Sequence, residues 1–231
     1  MSIQLITFDL DDTLWDVAPA IEAAEIVLRD WLATYAPRLG ALPFEDYWKI
    51  RSALLAEDPG LKHRISELRR RALAHALHSA GYAASQAQTL AEEAFETFLE
   101  ARNRVELYSD ARPTLHSLAQ DFQLGVITNG NADVHRIGIA DYFQFALNAE
   151  ELGIGKPDPI PFQEALKRAG SSAELAVHIG DHPTDDIAGA QGAGLRAIWF
   201  NPQGKTWEAD YQPDAEIRSL SQLPELLKRW S

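Results

Sequence analysis

The stretch Ile6-Thr7-Phe8-Asp9-Leu10-Asp11-Asp12-Thr13-Leu14 ends a short apolar strand, predicted over residues 3–8, in three carboxylates and a threonine. Enzymes with α/β folds place reactive groups in this way, at the carboxyl ends of strands. Side chains alternate along an extended backbone, so we expect Asp9 and Asp11 to project in the same direction. Neighbouring carboxylates repel each other unless a cation or a shared proton lies between them. The stretch therefore predicts a metal site, with one carboxylate as nucleophile and the other handling a proton; a turn that caps the next helix is the plainer interpretation.

Length and composition set the class of protein. The 231 residues suffice for one large domain, or for a core domain with a smaller second unit. The chain contains no cysteine, which excludes disulfides, thiolate nucleophiles and cysteine-ligated metals and fits a reducing compartment. We find neither the pattern of a signal peptide nor an apolar run of the ~20 residues that a membrane span needs. We therefore expect a cytoplasmic protein with no membrane partner.

The formal net charge of −13 at pH 7 restricts the possible partners. Nucleic-acid binding relies on Lys and Arg to neutralise phosphates, so we expect no nucleic-acid partner. An anionic substrate would need local positive charge from a metal, a lysine or backbone N–H groups to overcome the overall field.

The pattern is helical throughout residues 16–104. Amphipathic spacing predicts four helices, over residues 18–34, 44–56, 61–80 and 86–102, with Gly81 ending the third and Ser85 as the N-cap of the fourth. Four such helices joined by short turns indicate a small bundle. We predict that they form an inserted α-helical cap domain over residues 16–104.

Strands and helices alternate through the remainder of the chain. Strands are predicted at 123–128, 145–148, 176–179, 196–200 and 215–217, and helices at 115–120, 132–139, 160–169, 187–193 and 220–229. This alternation is typical of a mostly parallel, doubly wound α/β sheet with helices on both faces. We therefore predict an α/β core domain formed by residues 1–15 and 105–231.

Polar groups follow three further predicted strand ends or turns. Thr128, Asn129 and Gly130 follow an apolar strand, where free N–H groups bind anions, although the same residues are ordinary turn chemistry. Lys156 lies in a loop stiffened by two prolines, although a loop lysine is usually only solvated. Asp181 follows Gly180 at a strand end.

Two more acids, Asp185 and Asp186, begin the helix that follows Asp181, where acids are also favoured by the helix dipole. Together the acids, the hydroxyl and the lysine are suited to Mg²⁺-assisted phosphoryl transfer, because Mg²⁺ prefers hard oxygen ligands and a substrate phosphate.

In order and spacing these segments resemble the four motifs of the haloacid dehalogenase (HAD) superfamily. The stretch 9–13 resembles its DxDxT motif, Thr128 the second motif, Lys156 the third, and Gly180-Asp181 with Asp186 the acidic fourth. The insertion directly after the first motif resembles the C1-type helical cap of that superfamily, with a Rossmann-like core. Within the superfamily, three segments resemble the bacterial branch of flavin mononucleotide and 5-amino-6-ribitylaminouracil 5′-phosphate phosphatases: Thr-Asn-Gly-Asn (128–131), residues 180–190, and Trp-Phe-Asn-Pro (199–202).

The resemblance implies a phosphatase that works through an aspartyl-phosphate. In it Asp9 attacks phosphorus, and Asp11 protonates the leaving group and then activates water. Thr128, with the N–H groups of Asn129 and Gly130, binds the phosphoryl oxygens, and Lys156 neutralises charge.

The resemblance also implies a Mg²⁺ site. Its ligands would be Asp9, the backbone carbonyl of Asp11, and Asp181. Asp186 would act on the metal or its waters, with Asp185 as the alternative. The expected substrate is a small phosphorylated metabolite, such as flavin mononucleotide or a related ribityl or sugar phosphate.

Other functions share parts of this pattern. A 2-haloacid dehalogenase needs no acid for a departing halide, so Asp11 argues for a phosphate ester. A phosphomutase has the same motifs. A receiver-like phospho-acceptor module does not need a long helical insertion after the first strand, and every catalytic position is filled, which argues against a silent binding module.

Several residues of the helical insertion and of the core admit two interpretations. A basic run in the third helix is expected to be a solvated surface, or to provide Arg64 or Arg69 for a second polar group of the substrate. We expect Trp15 and Trp48 to pack in cores rather than to stack on a ring. His178 is expected to be packed core and His182 to face the site. For the oligomeric state we expect a monomer or a weak homodimer.

Overall fold

The computed structural model describes residues 2–40 and 44–230. The ends of the predicted core domain, Met1 and Ser231, lie outside the described residues. The chain divides into two compact units, one formed by Met1–Val17 with Val105–Ser231 and the other by Ala18–Arg104. The first junction lies two residues after the predicted boundary, and the second lies at the predicted position. None of the described helices is long and apolar enough to cross a lipid bilayer.

The first unit is built on a parallel sheet. Its described strands are β1 (Leu5–Phe8), β2 (Gln123–Thr128), β3 (Phe145–Asn148), β4 (Ala176–Gly180), β5 (Arg196–Phe200) and β6 (Ala215–Ile217). They pair in the order β3-β2-β1-β4-β5-β6, and every pairing is parallel. This is the doubly wound order, in which the direction of winding reverses between β1 and β4. The predicted fold class is therefore confirmed.

Helices cover both faces of this sheet. In chain order they are α5 (Ala111–Leu118), α6 (Val134–Ile137), α7 (Ala149–Leu152), α8 (Pro159–Ala169), α9 (Gly189–Gly192) and α10 (Leu223–Lys228), where α1–α4 belong to the second unit. Ile6 and Phe8 pack with one buried cluster that includes residues of α5 and α10. Leu5 packs with another that includes Phe162 of α8. Alternate residues of one strand thus face different cores, as a sheet buried on both sides requires.

The second unit, where the structure describes it, contains four α-helices: α1 (Val17–Tyr35), whose first residue belongs to the first unit, α2 (Phe44–Glu57), α3 (Ile65–Ser79) and α4 (Ala84–Arg102). It has its own core, in which Leu73 and Leu77 of α3 pack with Phe95 and Phe98 of α4. Gly81, with φ +88°, follows the end of α3, as expected of a residue that leaves a helix in the left-handed region.

Two details of the helical prediction were wrong. Ser85 is not an N-cap, because α4 begins at Ala84 and its N-cap residue, Ala83, makes no side-chain capping bond. The predicted third helix is broken at Arg64 (φ −117°, ψ 61°) into a 3₁₀ turn, Pro59–His63, and α3.

Candidate active site

The polar residues singled out in the sequence lie along one edge of the sheet. Asp9 directly follows β1, Thr128 ends β2, and Asp181 directly follows β4. These three strands are neighbours, and the point where the winding reverses lies among them. Doubly wound sheets bind their ligands in the crevice at this point, outside the carboxyl ends of the strands. The fold therefore brings together residues that are more than 170 positions apart in the chain.

Lys156 bridges two carboxylates in the buried part of this edge. Its Nζ donates to Asp9 Oδ1 and to Asp186 Oδ1, both at 2.6 Å, and all three side chains are almost wholly inaccessible to solvent. The expectation that a loop lysine is merely solvated does not apply here. A buried charge needs such partners, because an unpaired one would carry a large desolvation cost.

The pKa values of these groups follow from burial and charge. Burial alone would lower the pKa of Lys156, but the carboxylates of Asp186 and Asp9 outweigh it and raise the pKa, so the lysine is a cation. Burial would raise the pKa of Asp186, but Lys156 and then His178 outweigh it and hold this pKa below its ordinary value. Burial raises the pKa of Asp9; Lys156 opposes the rise, while Asp186 and Asp11 add to it. Lys156 alone therefore does not balance the negative charge around Asp9, the candidate nucleophile.

Asp181 completes a group of three carboxylates. One oxygen each of Asp9, Asp181 and Asp186 lies within 4.8 Å of the others. Burial, with the charges of Asp186 and Asp12, raises the pKa of Asp181 to about 7. Three carboxylates share one lysine, so the cluster carries more negative than positive charge. A divalent cation with hard oxygen ligands would correct this excess, and the residues therefore fit Mg²⁺.

The two consecutive acids after Asp181 differ in position. Asp186 is 1% exposed and belongs to the carboxylate cluster, and its Oδ2 accepts from the backbone N–H of His182 at 2.9 Å. A side chain at Gly180 would overlap the Asp186 carboxyl group, which explains the glycine before Asp181. The Asp185 side chain is partly exposed and accepts from the Asn129 amide at 3.3 Å. Asp186, rather than Asp185, is therefore placed to act with Asp9 and Asp181.

Asp11 lies at the start of a turn and not on an extended strand. β1 ends at Phe8, and the N–H of Leu14 donates to Leu10 O at 2.8 Å, which places Asp11 within the tight turn that follows the strand. The Asp11 carboxylate nevertheless lies near enough to Asp9 to help raise the pKa of that group. Its Oδ1 accepts from the indole N–H of Trp15 at 3.0 Å. Trp15 is fully buried, as predicted, and it also orients Asp11.

The segment after β2 holds the lysine loop in place. Asn129 Oδ1 accepts from the backbone N–H of Lys156 at 2.8 Å, and its Nδ2 donates to the carbonyl of Lys156 at 2.9 Å. The N–H of Gly130 donates to Thr128 Oγ1 at 3.0 Å. The predicted substrate-binding role of Asn129 concerned only its backbone N–H. No feature of the sequence predicted that its side chain would bind the backbone of Lys156.

His178 has a partner that was not predicted. It is fully buried, as expected, but its Nε2 lies 3.1 Å from Asp186 Oδ1 and its Nδ1 lies 2.9 Å from Thr7 Oγ1. The one available signal was that Thr7 and His178 interrupt two apolar strands. His182 lies beside Asp181, and its Nδ1 accepts from the N–H of Asp185 at 3.0 Å.

Three predictions for the helical unit have definite outcomes. Trp48 is not core, because it is 47% exposed and lies beneath the Arg51 guanidinium. Arg64 pairs with Asp58 at 2.7 Å and also with Glu67. Arg69 pairs with Glu25 at 2.7 Å and lies over the ring of Phe98. Both arginines therefore already have partners within their own unit.

Known proteins are similar to this chain over most of its length. A family model described as haloacid dehalogenase-like hydrolase matches residues 3–194. A relative from Escherichia coli, 5-amino-6-(5-phospho-D-ribitylamino)uracil phosphatase YigB, is 33% identical over 97% of this chain and 96% of its own length.

Two solved structures are similar over nearly the whole chain. One, described as a 2-haloacid dehalogenase from Pseudomonas syringae pv. tomato, is 66% identical, covers 99% of this chain and 100% of that chain, and has a TM-score of 0.98. The other, the putative HAD-hydrolase YfnB from Bacillus subtilis bound to magnesium, is 26% identical, covers 98% of this chain and 99% of that chain, and has a TM-score of 0.66.

Proposed function

We propose that this chain, which belongs to the haloacid dehalogenase-like hydrolase family, hydrolyses a small-molecule phosphate monoester through an aspartyl-phosphate on Asp9. The observation that carries the proposal is that the buried Asp9, paired with Lys156, has a second carboxylate, Asp11, two residues along the chain. A nucleophile and a separate acid–base group are what the cleavage of an ester to an alcohol requires.

The chemistry has two steps. A carboxylate oxygen of Asp9 attacks phosphorus, the bond from phosphorus to the ester oxygen breaks, and Asp11 gives its proton to the departing alkoxide. Asp11, now a carboxylate, takes a proton from water as that water attacks phosphorus. The bond from phosphorus to Asp9 then breaks, which restores the carboxylate of Asp9 and releases phosphate.

The remaining residues bind and neutralise charge. Lys156 offsets the charge of Asp9 and of the transferring group, and Thr128 with the backbone N–H groups that follow it binds phosphoryl oxygens. Mg²⁺ would be held by Asp9, Asp181, the carbonyl of Asp11 and, directly or through water, Asp186. When bound, it supplies positive charge to the phosphoryl oxygens and the carboxylates. The relative bound to magnesium supports this choice of ion.

The substrate is a phosphorylated metabolite. The E. coli relative is named for a phosphorylated ribitylaminouracil, and we propose a related ribityl or sugar phosphate, or flavin mononucleotide, as the first compounds to test. We propose no nucleic-acid or membrane partner, and a monomer or weak homodimer.

A second candidate function is the hydrolysis of a 2-haloacid, which is favoured by the similarity to the 66% identical 2-haloacid dehalogenase structure from Pseudomonas syringae pv. tomato. In that reaction Asp9 would attack carbon and displace a halide. A halide leaves without a proton, so Asp11 would not be needed as an acid.

One experiment separates the two functions. Phosphate release is measured with Mg²⁺ over a panel of flavin mononucleotide, sugar phosphates and nucleotides, and chloride release is measured with 2-chloropropionate. For a phosphatase we expect phosphate release that requires Mg²⁺, disappears in Asp9→Asn, and falls by ~10²–10⁴-fold in Asp11→Asn. Chloride release that survives Asp11→Asn, with no phosphate release from the panel, would instead establish the dehalogenase.

A further inference from the structure

A chain of hydrogen-bonded polar side chains connects the interior of the sheet to the carboxylate cluster. Thr7 lies in β1, opposite His178 in β4, and both side chains are fully buried. Thr7 Oγ1 is 2.9 Å from His178 Nδ1, and His178 Nε2 is 3.1 Å from Asp186 Oδ1. The imidazole also meets the ring of Phe162 edge-on, with 5.2 Å between ring centroids. The histidine is therefore fixed by contacts at both nitrogens and by packing.

The partners determine where the protons lie. Asp186 is a carboxylate, since its oxygens accept from Lys156 Nζ at 2.6 Å and from the His182 N–H at 2.9 Å, and a carboxylate only accepts. His178 Nε2 must therefore carry a hydrogen. Thr7 Oγ1 hydrogen-bonds Nδ1 at 2.9 Å and also lies 3.4 Å from Val177 O, so the threonine hydroxyl holds the other side of the ring.

We infer that Thr7 and His178 are positioning residues for the reaction: they hold the Asp186 carboxylate toward the cluster, so that it can pair with Lys156 and serve the metal. The part of the inference that concerns the metal rests on the proposed function. The hydrogen bonds are observed independently of it. Asp186 Oδ1 accepts hydrogen bonds from Lys156 and His178, and Oδ2 accepts one from the backbone N–H of His182. A carboxylate with donors at both oxygens is held in one orientation.

This arrangement makes His178 different from a packing residue. A purely apolar side chain of similar size would fill the space beside Phe162 but would leave Asp186 with one donor fewer. The function of His178 is therefore carried by its Nε2–H, and the function of Thr7 by its hydroxyl. Substitutions that keep or remove those single groups can separate positioning from packing.

Two series of variants of the full-length protein test the inference. His178→Phe removes the donor, whereas His178→Gln keeps an N–H donor near the position of Nε2. Thr7→Val removes the hydroxyl at nearly constant shape, and Thr7→Ser keeps it. The Mg²⁺ dissociation constant is measured by calorimetry, without substrate. We expect it to rise ~10–100-fold in His178→Phe and less in Thr7→Val, and to remain near the parent value in His178→Gln and Thr7→Ser.

A spectroscopic measurement tests the hydrogen bonds independently of the metal and of activity. In ¹⁵N-histidine-labelled protein, the parent should show a hydrogen on Nε2 of His178, and Thr7→Val, which removes the partner of Nδ1, should change the Nδ1 chemical shift. Thr114→Val makes the same chemical change at another buried threonine and should alter neither Mg²⁺ affinity nor the His178 signals.

The outcomes separate the inference from the proposed function. An Nε2 of His178 without a hydrogen, or equal Mg²⁺ affinity in the parent and in a folded His178→Phe variant, would each overturn the inference. Absence of phosphate release in the parent, with the hydrogen on Nε2 present, would overturn the proposed function and leave the assignment of the Thr7–His178–Asp186 bonds standing.

Discussion

Lys156 is the residue on which the charge balance of the site depends. It contacts Asp9 and Asp186 at 2.6 Å, and it is itself only 4% exposed. Its loop is held by two hydrogen bonds between the side-chain amide of Asn129 and the backbone of Lys156. A side chain at Gly155 would overlap the Asn129 amide, so the glycine next to the lysine makes that fastening possible.

Removing this lysine should destabilise the protein. In Lys156→Met two buried carboxylates lose their cation, and breaking a buried pair in this way costs about 3–5 kcal/mol of unfolding free energy. Denaturant unfolding without Mg²⁺ measures the loss, and Asp9→Asn in the same background should recover part of it because it removes one of the unpaired charges.

Lys167→Met is the matched control for that variant. Lys167 pairs with Glu164 at 3.3 Å on the surface, where an ion pair contributes only about 0–1 kcal/mol. If Lys156→Met unfolded at the same denaturant concentration as Lys167→Met, the buried pairs would not carry the stability assigned to them.

The charged residues of the site could be predicted from the sequence, but the residues that hold them in place by hydrogen bonds could not. Asp9, Asp181, Asp186 and Lys156 could be predicted to meet, because strand ends and a stiff loop place them in a recognisable order. Asn129 and His178 act through side-chain hydrogen bonds to residues 27 and 8 positions away. Nothing in local spacing encodes such bonds, because they form only when the three-dimensional loop geometry is set.

The element that presents Asp186 is a π-helical turn, Pro183–Ala188, which continues directly into α9. The helix predicted over about 187–193 is present, but it begins earlier and as a π-helical turn, because apolar spacing does not distinguish a widened turn from an α-helix. Strands β2, β3, β5 and β6 have the predicted bounds. Their short apolar runs are bounded by polar or turn residues, which is why their limits were readable in the sequence.

The π-helical turn is held in place by β5 and by the segment that follows it. The indole N–H of Trp199 donates to Asp181 O at 2.8 Å, and the hydroxyl of Tyr211 donates to Pro183 O at 2.9 Å. Trp207 packs edge-on against both rings, with centroids 4.8 and 5.6 Å away. Two side chains from distant positions thus hold the backbone at the start of the turn.

Tyr211→Phe tests this fastening. It removes one hydrogen bond and keeps the ring, so we expect a loss of about 0.5–1.5 kcal/mol of unfolding free energy, together with weaker Mg²⁺ binding as the turn loosens. Tyr35→Phe is the control: Tyr35 is 59% exposed, and its substitution should change stability by less than about 0.5 kcal/mol. Equal effects of the two substitutions would show that the Tyr211 hydroxyl does not hold the turn.

For the whole molecule, topology converts a linear order of motifs into a site. The sheet order places β1 between β2 and β4, so the ends of three strands meet although long segments separate them in sequence. Alternation of strands and helices was enough to predict the parallel sheet, and the unbroken helical pattern of residues 16–104 was enough to predict the helical unit. Neither pattern predicts that Thr7 and His178 lie opposite each other, because that depends on the register between β1 and β4.

In a protein with a net charge of −13, repulsion within the acidic cluster lowers the stability of the metal-free fold. We therefore expect the unfolding free energy to depend on pH. Asp181 has a folded-state pKa of about 7, above the value of 3.8 that is ordinary for aspartate. Between about pH 4 and pH 7, Asp181 is therefore protonated in the folded, metal-free protein but ionised in the unfolded chain. From the sign of this difference, Asp181 lowers the unfolding free energy as the pH rises from about 4 to about 7. Above pH 7 the carboxylate is free to bind a cation.

Mg²⁺ should therefore stabilise the protein more at pH 8 than at pH 6, because metal ligands must be deprotonated. A pKa of about 7 leaves roughly a tenth of Asp181 ionised at pH 6, so the Mg²⁺ affinity should be ~10-fold weaker there, equivalent to about 1.4 kcal/mol of stabilisation at excess Mg²⁺. Thermal unfolding with and without Mg²⁺ at the two pH values measures this. Asp46→Asn, at a surface acid paired with Lys49, should keep the difference, and Asp181→Asn should remove it. An equal Mg²⁺ effect at pH 6 and pH 8 in the parent would mean that Asp181 binds no ion in competition with its proton.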